Sequence, residues 1–212
     1  MSHILSQISV MNRQILHIAI PSIISNVTVP LLALVDTTIV GHLGAAAYIG
    51  AIAVGGLIFN MIYWLFNFLR MGTGGLTAQA YGAGRQDEAL RVMGRSLSLA
   101  AFVGAALILL QWPLGELAFR IIDATPQVWQ LAHTYYAILI WGAPAVLGLY
   151  SFTGWFLGMQ NARYPMLIAI VQNVVNVVAS LAFVCLLGWK VEGVAAGSLL
   201  AQYVGLGLAL WL

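Results

Sequence analysis

The chain is 212 residues long, 62% hydrophobic and only 7% charged, with a formal net charge of +2. Ordinary soluble domains carry roughly 25% charged residues, so the composition excludes a water-soluble globular protein and indicates an integral membrane protein. The apolar runs are too long for barrel strands, which need about 9 to 11 alternating residues, so they predict an all-α membrane protein. The single Cys185 has no partner for a disulfide, and the histidines lack a second ligand at metal spacing, so we predict no metal site and no cofactor.

Six apolar runs of membrane-spanning length follow one another along the chain. We expect six transmembrane helices, at about 14–40, 45–82, 89–112, 128–157, 165–187 and 194–212. Short loops with turn residues separate them, among them WPLGE at 112–116. The first run contains prolines and an acid rather than a small-residue cleavage site, so we expect it to remain as an anchor and not to be removed as a signal peptide.

The basic residues are unevenly divided between the two sides of the membrane. If the N-terminus is on the inner side, that side holds six arginines, namely Arg13, Arg70, Arg85, Arg91, Arg95 and Arg163. The outer side then holds only Arg120 and Lys190. Because positive loops stay in the cytoplasm, this distribution predicts a cytoplasmic N-terminus.

Asp36 stands alone as an acid near the outer end of the first predicted helix. Hydrocarbon cannot solvate a carboxylate, so an acid at this depth is retained only when it is paired, hydrated or protonated. One interpretation is that Asp36 reaches water at the membrane interface. The other is that it forms a functional site, which is favoured because an acid is unfavourable at the negative end of a helix dipole.

The first predicted helix also carries polar residues and two prolines. Ser22 and Ser25 share a helical face with Asp36, and Asn26 lies beside them, so we expect this face to line a cavity rather than contact lipid. Pro21 and Pro30 each remove a backbone hydrogen bond, which predicts a kink that is either static or mobile.

The fifth and sixth predicted helices carry a second group of polar residues. Asn173, Asn176 and Ser180 recur along one face of the fifth helix, and Ser198 and Gln202 lie one turn apart on the sixth. Amides in hydrocarbon need partners, so this face must meet another polar face. It either holds two helices together or lines the same cavity as Asp36. Tyr135 in the fourth helix is either an interfacial residue or part of that cavity.

Several stretches together resemble the multidrug and toxic compound extrusion (MATE) transporters, in particular their DinF-like branch. The stretches are PSIISNVTVPLLALVDTTIVGHLG at 21–44, TGGLTAQAYGAGRQDEA at 73–89, GWFLGMQNARYPM at 154–166, and QNVVNVV with GVAAGSLLAQ across the last two predicted helices. They occur in the family's order and cover essentially the whole chain. The resemblance implies a transporter and not an enzyme.

The resemblance implies twelve helices in two six-helix lobes, with residues 1–212 as the N-terminal lobe and the C-terminal lobe absent from this chain. It also implies export of small organic cations across the cytoplasmic (inner) membrane of a bacterium, driven by inward flow of H⁺ or Na⁺. Asp36 and Pro21 match the acid and the kink proline of the family's first helix. Asn176 and Ser198 match polar positions of its cation site, while Tyr135 and Asn173 match less closely.

One departure from the family pattern bears on the coupling ion. Position 180 is commonly aspartate in the family and is Ser180 here. Since hard cations prefer several charged or carbonyl oxygens, the loss of one carboxylate favours H⁺ over Na⁺. We therefore expect a proton at Asp36 to be linked to bending at Pro21. The alternatives are a sodium-coupled exporter, a lipid-linked flippase of the same superfamily, and a non-transporting membrane scaffold.

Overall fold

A computed structural model describes residues 16, 19–21, 23–24, 27, 34–41, 46–122 and 124–212. Residues 34–41 are helical, and eight further α-helices follow. They are α1 (Ala46–Leu65), α2 (Phe68–Gly82), α3 (Gln86–Leu109), α4 (Gln111–Ile121), α5 (Pro126–Leu139), α6 (Ala143–Gly158), α7 (Arg163–Cys185) and α8 (Val191–Trp211), with a 3₁₀ turn at Ile140–Gly142 between α5 and α6. No strand occurs in the described ranges.

Five stretches in the described part of the chain are long and apolar enough to cross a bilayer. They are Ala46–Gly82, Gln86–Leu109, Pro126–Gly158, Arg163–Cys185 and Val191–Trp211. The first and third are each built from two helices. About half of the first predicted membrane helix, including Ser22, Ser25, Asn26 and Pro30, lies outside the described residues.

The two composite spans are interrupted for different local reasons. Between α1 and α2 the backbone turns at Phe66 and Asn67, and the N–H of Asn67 bonds to the carbonyl of Trp64 at 3.2 Å. Between α5 and α6, Pro144 has no N–H to donate to the preceding turn, and the backbone tightens into the 3₁₀ turn.

The α4 helix corrects one sequence prediction. The segment WPLGE was expected to be a turn, and it lies within α4. Pro113 is tolerated there because it occupies the first helical turn, where backbone N–H groups have no intrahelical acceptor. Arg120 then donates to Glu116 one turn away, at 2.6 Å.

The span formed by α5 and α6 is the most buried of the five and lies at the centre of the bundle. The α6 helix packs against α2, α3 and α8, while α5 packs against α1 and α8. The helices α7 and α8 pack along each other as an antiparallel pair. The close approach of α2 and α6 depends on glycine, because a Cβ at Gly154 would overlap the carbonyl of Arg70.

The turns joining neighbouring spans use glycine where a left-handed backbone is required. Gly84 between α2 and α3 has φ +71°, and Gly188 between α7 and α8 has φ +69°. After Gly188, the ammonium of Lys190 lies 5.4 Å from the ring centroid of Tyr48. A hydrogen bond with the Tyr48 hydroxyl raises the pKa of Lys190 above its usual range. This contact ties the α7–α8 turn to α1.

Candidate functional site

Asp36 is buried in the lobe despite being an acid. Its residue is only 6% exposed, and it lies in the helical stretch 34–41. Its Oδ1 atom has no hydrogen-bond partner among the described residues. No lysine or arginine in the described ranges forms an ion pair with it. The described structure therefore leaves one oxygen of this carboxyl unsatisfied.

Ser198 connects Asp36 to α7. The Nδ2 of Asn176 donates to the Oγ of Ser198 at 2.7 Å, which joins α7 to α8. The Ser198 hydroxyl also faces the carboxyl of Asp36 and the hydroxyl of Tyr135. Asn176 is fully buried, and its Oδ1 has no partner in the described part of the protein. A single hydroxyl thus lies between an amide, a carboxyl and a phenol.

Tyr135 reaches this cluster because α1 and α5 approach closely at a glycine. A Cβ at Gly55 would overlap the ring of Tyr135, so any larger residue there would move the ring. Tyr135 itself is only 5% exposed. Gly55 on α1 therefore leaves the space that the Tyr135 ring on α5 occupies.

Ser180 lies one turn beyond Asn176 on the same face of α7 and is fully buried. A Cβ at Gly197 would overlap its Oγ, which places the Ser180 hydroxyl directly against the backbone of α8 beside Ser198. This Oγ also lacks a hydrogen-bond partner among the described residues. We call Asp36, Tyr135, Asn176, Ser180 and Ser198 the Asp36 cluster.

The remaining candidate residues are less closely associated with this cluster. Asn173 is half-buried on α7. Gln202 is half-buried on α8 and directs its side chain towards Gly142, where a Cβ would overlap its Oε1. Pro21 is buried and helical, whereas the positions of Ser22, Ser25, Asn26 and Pro30 lie outside the described residues. Within the described ranges, no group of three His, Cys, Asp or Glu could hold a metal ion.

A second buried polar group, which the sequence did not predict, joins the helices α2, α3 and α6. Thr73 on α2 and Ser96 on α3 are hydrogen-bonded through their hydroxyls at 2.6 Å, and Ser96 donates to the Oγ of Ser151 on α6 at 2.7 Å. Ser151 then donates to the carbonyl of Leu147 at 3.3 Å. We call these three residues the hydroxyl chain. Only isolated hydroxyls within apolar helices indicate it in the sequence.

Comparisons with known proteins agree with this architecture. A model of the MatE family matches residues 21–182. The chain is 40% identical to DNA damage-inducible protein F of Escherichia coli (strain K12), over 92% of this chain and 42% of that protein. It is 26% identical to multidrug resistance protein MdtK of Klebsiella pneumoniae (strain 342), over 81% of this chain and 37% of the relative.

The fold matches solved transporters as well. A MATE crystal structure described as being in the bent conformation superposes with a TM-score of 0.86 at 25% identity, covering 94% of this chain and 44% of that one. The chain therefore spans less than half the length of these relatives, and it has the fold of one lobe. The family consists of multi-pass membrane transporters of small molecules rather than enzymes. From the matched residues and the shared fold, this chain belongs to the MATE family, with a relative in its DinF branch.

Proposed function

We propose that this chain is the N-terminal lobe of a cation-coupled antiporter that exports organic cations, with H⁺ as the coupling ion bound at Asp36. The observation that carries the proposal is the unpartnered Oδ1 of a buried carboxyl that faces Ser198. An exporter of cations needs a group whose charge attracts the substrate in one state and disappears in the other. A buried carboxyl can do this by gaining and losing one proton.

The proton chemistry follows from the bonding of Ser198. When Asp36 is ionised it only accepts hydrogen bonds, and the Ser198 hydroxyl can donate to it while accepting from Asn176. When Asp36 is protonated it becomes a donor, so Ser198 must accept from it and turn its own proton elsewhere. The hydroxyl of Tyr135 also faces Ser198 and can accept that proton. Protonation therefore reorganises bonds across the helical stretch 34–41, α5, α7 and α8.

Pro21 provides a place where the first helix can respond to this rearrangement. A proline inside a helix removes one backbone hydrogen bond and lowers the cost of bending. Pro21 lies 15 residues before Asp36 in the sequence and is itself helical and buried. A solved relative is described as having a bent conformation. We infer that protonation of Asp36 favours bending at Pro21 and releases the organic cation to the outside.

A sodium-coupled mechanism is the second candidate, because three unpartnered oxygens belong to the same cluster. They are the Oδ1 atoms of Asp36 and Asn176 and the Oγ of Ser180. Neutral oxygens with one carboxylate could hold Na⁺, but hard cations prefer more charged ligands. Ser180 supplies a hydroxyl where the family commonly supplies a second carboxylate, so we favour H⁺.

The orientation and the partners belong to the same proposal. The excess of arginine at the α2–α3 and α6–α7 turns favours a cytoplasmic N-terminus in a bacterial inner membrane. The relatives are more than twice as long as the matched region, which supports a second six-helix lobe as the partner. The substrate path would then lie where the two lobes meet.

Transport in proteoliposomes tests the proposal. The complete protein is reconstituted and ethidium movement is followed under an imposed H⁺ gradient, an imposed Na⁺ gradient, or neither. We expect the H⁺ gradient to drive ethidium movement and Asp36→Asn to abolish it. The matched control is Asp87→Asn, which removes an exposed acid in the first turn of α3.

A response to Na⁺ alone would establish the sodium mechanism. Movement of a labelled lipid without ethidium would indicate a flippase, and movement of neither would indicate a scaffold.

A further inference from the structure

An apolar groove between α2 and α3 is open to the surroundings of the helix bundle. Its volume is about 230 Å³, and it is lined by apolar side chains from both helices, including Phe68, Leu76, Val92 and Leu99. Gly72 widens it, since a Cβ at that position would meet no atom within 4 Å. Phe68, Leu76 and Leu99 are all exposed, so the groove presents apolar surface to whatever surrounds the bundle.

Arg95 forms part of the wall of this groove. It lies nine residues into α3, about 14 Å along the helix from Gln86, and it is exposed. None of the positions one turn away on α3 carries an acid, because these are Arg91, Val92, Ser98 and Leu99. Within the described ranges no ion pair includes Arg95, and Glu88 is paired with Arg85 at 2.6 Å.

An exposed arginine within a membrane helix needs an anionic partner or access to the headgroups. Helical side chains lean towards the N-terminus of their helix, so the Arg95 guanidinium is directed back towards Arg91 and the membrane surface at the α2–α3 turn. Arg91 is also exposed and forms no ion pair among the described residues. Two guanidinium groups one turn apart match the oxygens of a phosphodiester.

We propose that the α2–α3 groove binds an anionic phospholipid from the membrane leaflet on the side of the α2–α3 turn. One acyl chain lies in the apolar groove beside Gly72, and the phosphate accepts hydrogen bonds from Arg95 and Arg91. The groove is separate from the Asp36 cluster, which contains residues of α5, α7, α8 and the stretch 34–41. The positive charges of Arg95 and Arg91 favour an anion over an organic cation at this end of the groove, although Asp87 and Glu88 lie one turn before Arg91.

Native mass spectrometry of the complete protein tests this proposal. The protein is purified in nonionic detergent and titrated with phosphatidylglycerol or, separately, with phosphatidylcholine of the same acyl chains. We expect phosphatidylglycerol to bind at least about tenfold more tightly. Both lipids offer the phosphodiester to the two arginines, but phosphatidylcholine also carries a quaternary ammonium, which the two positive charges repel. Arg95→Gln should remove most of that preference, whereas Arg95→Lys should retain part of it. Arg85→Gln is the matched control because Arg85 already has an acidic partner.

A second pair of variants tests the acyl-chain part of the groove. Gly72→Leu should fill the groove and lower phosphatidylglycerol binding several-fold. Gly75→Leu adds the same side chain to the same helix at a position with equally open space that does not line the groove, and should leave binding unchanged.

Equal binding of the two lipids, or equal losses in Arg95→Gln and Arg85→Gln, would overturn the proposal. So would equal losses in the two glycine variants. The readout is lipid binding, so it does not depend on the transport mechanism.

Discussion

The Asp36 cluster and the hydroxyl chain are two buried polar groups of the same lobe, held by different bonds. In the hydroxyl chain, each hydroxyl bonds to the next and the last donates to the carbonyl of Leu147. In the Asp36 cluster, three oxygens remain without partners among the described residues, and one belongs to a carboxyl. Leaving a buried polar atom unsatisfied costs about 1 to 3 kcal/mol.

This difference distinguishes structural polar groups from functional ones. A fully paired network holds helices together and gains nothing from a change in protonation. An incompletely paired network retains capacity to bind an ion or to exchange donors and acceptors. We therefore infer that the hydroxyl chain fixes α2, α3 and α6 as a unit, while the Asp36 cluster changes state during transport.

The largest effect is expected from Asp36→Asn. The amide cannot gain and lose a proton, so H⁺-driven ethidium transport in proteoliposomes should fall to the background of empty liposomes. The folded protein should be retained, because the substitution removes a buried acid that has no ion-pair partner in the described ranges. Ser151→Ala in the hydroxyl chain should keep H⁺-driven transport. If the two variants lose transport equally, the contrast between the clusters is wrong.

Asn176→Ala should reduce H⁺-driven transport about tenfold. It removes the donor that holds Ser198 at 2.7 Å, and the loss of one buried hydrogen bond is worth about 1.4 kcal/mol, or about a factor of ten. Asn173→Ala on the same helix is the matched control, since Asn173 is only half-buried. Initial rates of ethidium transport at fixed protein density measure both. Equal rates for the two variants would show that Asn176 does not take part in coupling.

Ser96→Ala should lower stability without altering the coupling ion. It removes the central hydroxyl of the chain and leaves Thr73 and Ser151 without that partner, which should destabilise the protein by about 1 to 3 kcal/mol. Thermal unfolding in detergent measures this loss. Ser98→Ala is the control, because Ser98 is exposed and bonds only to the carbonyl of its own helix at Gly94. A changed H⁺ dependence in Ser96→Ala would show that the hydroxyl chain also takes part in coupling.

The smallest expected change is a gain of sodium dependence in Ser180→Asp. A second carboxylate beside Asn176 and Ser198 would supply the charged oxygen that a hard cation prefers. We expect Na⁺ to stimulate ethidium transport by this variant about two- to threefold and to leave the parent protein unaffected. Stimulation of the parent by Na⁺ would mean that one carboxylate is sufficient, and it would favour the sodium mechanism.

The sequence predicted the helical membrane fold and much of the candidate site, because both produce strong local signals. Long apolar runs identify membrane helices, and a lone acid such as Asp36 or an amide such as Asn176 is conspicuous within them. The α4 helix was missed because Pro113 and Gly115 are typical of turns, although a proline in the first helical turn disrupts no intrahelical bond.

The contacts that assemble the two clusters could not be read from the sequence. Thr73, Ser96 and Ser151 are separated by 23 and 55 residues, and single hydroxyls do not identify their partners. The placement of Tyr135 depends on the absence of a side chain at Gly55, which is a property of helix packing and not of local pattern. Whether an amide or hydroxyl joins a complete or an incomplete network is decided only by the tertiary structure.

Proton release on substrate binding tests the central role of Asp36 most directly. Ethidium is added to the complete protein in weakly buffered detergent solution, and the change in pH is recorded with an indicator dye. We predict that the parent protein releases protons when it binds ethidium and that Asp36→Asn releases none. Equal proton release by both proteins, or ethidium binding by the parent without any release, would contradict the account.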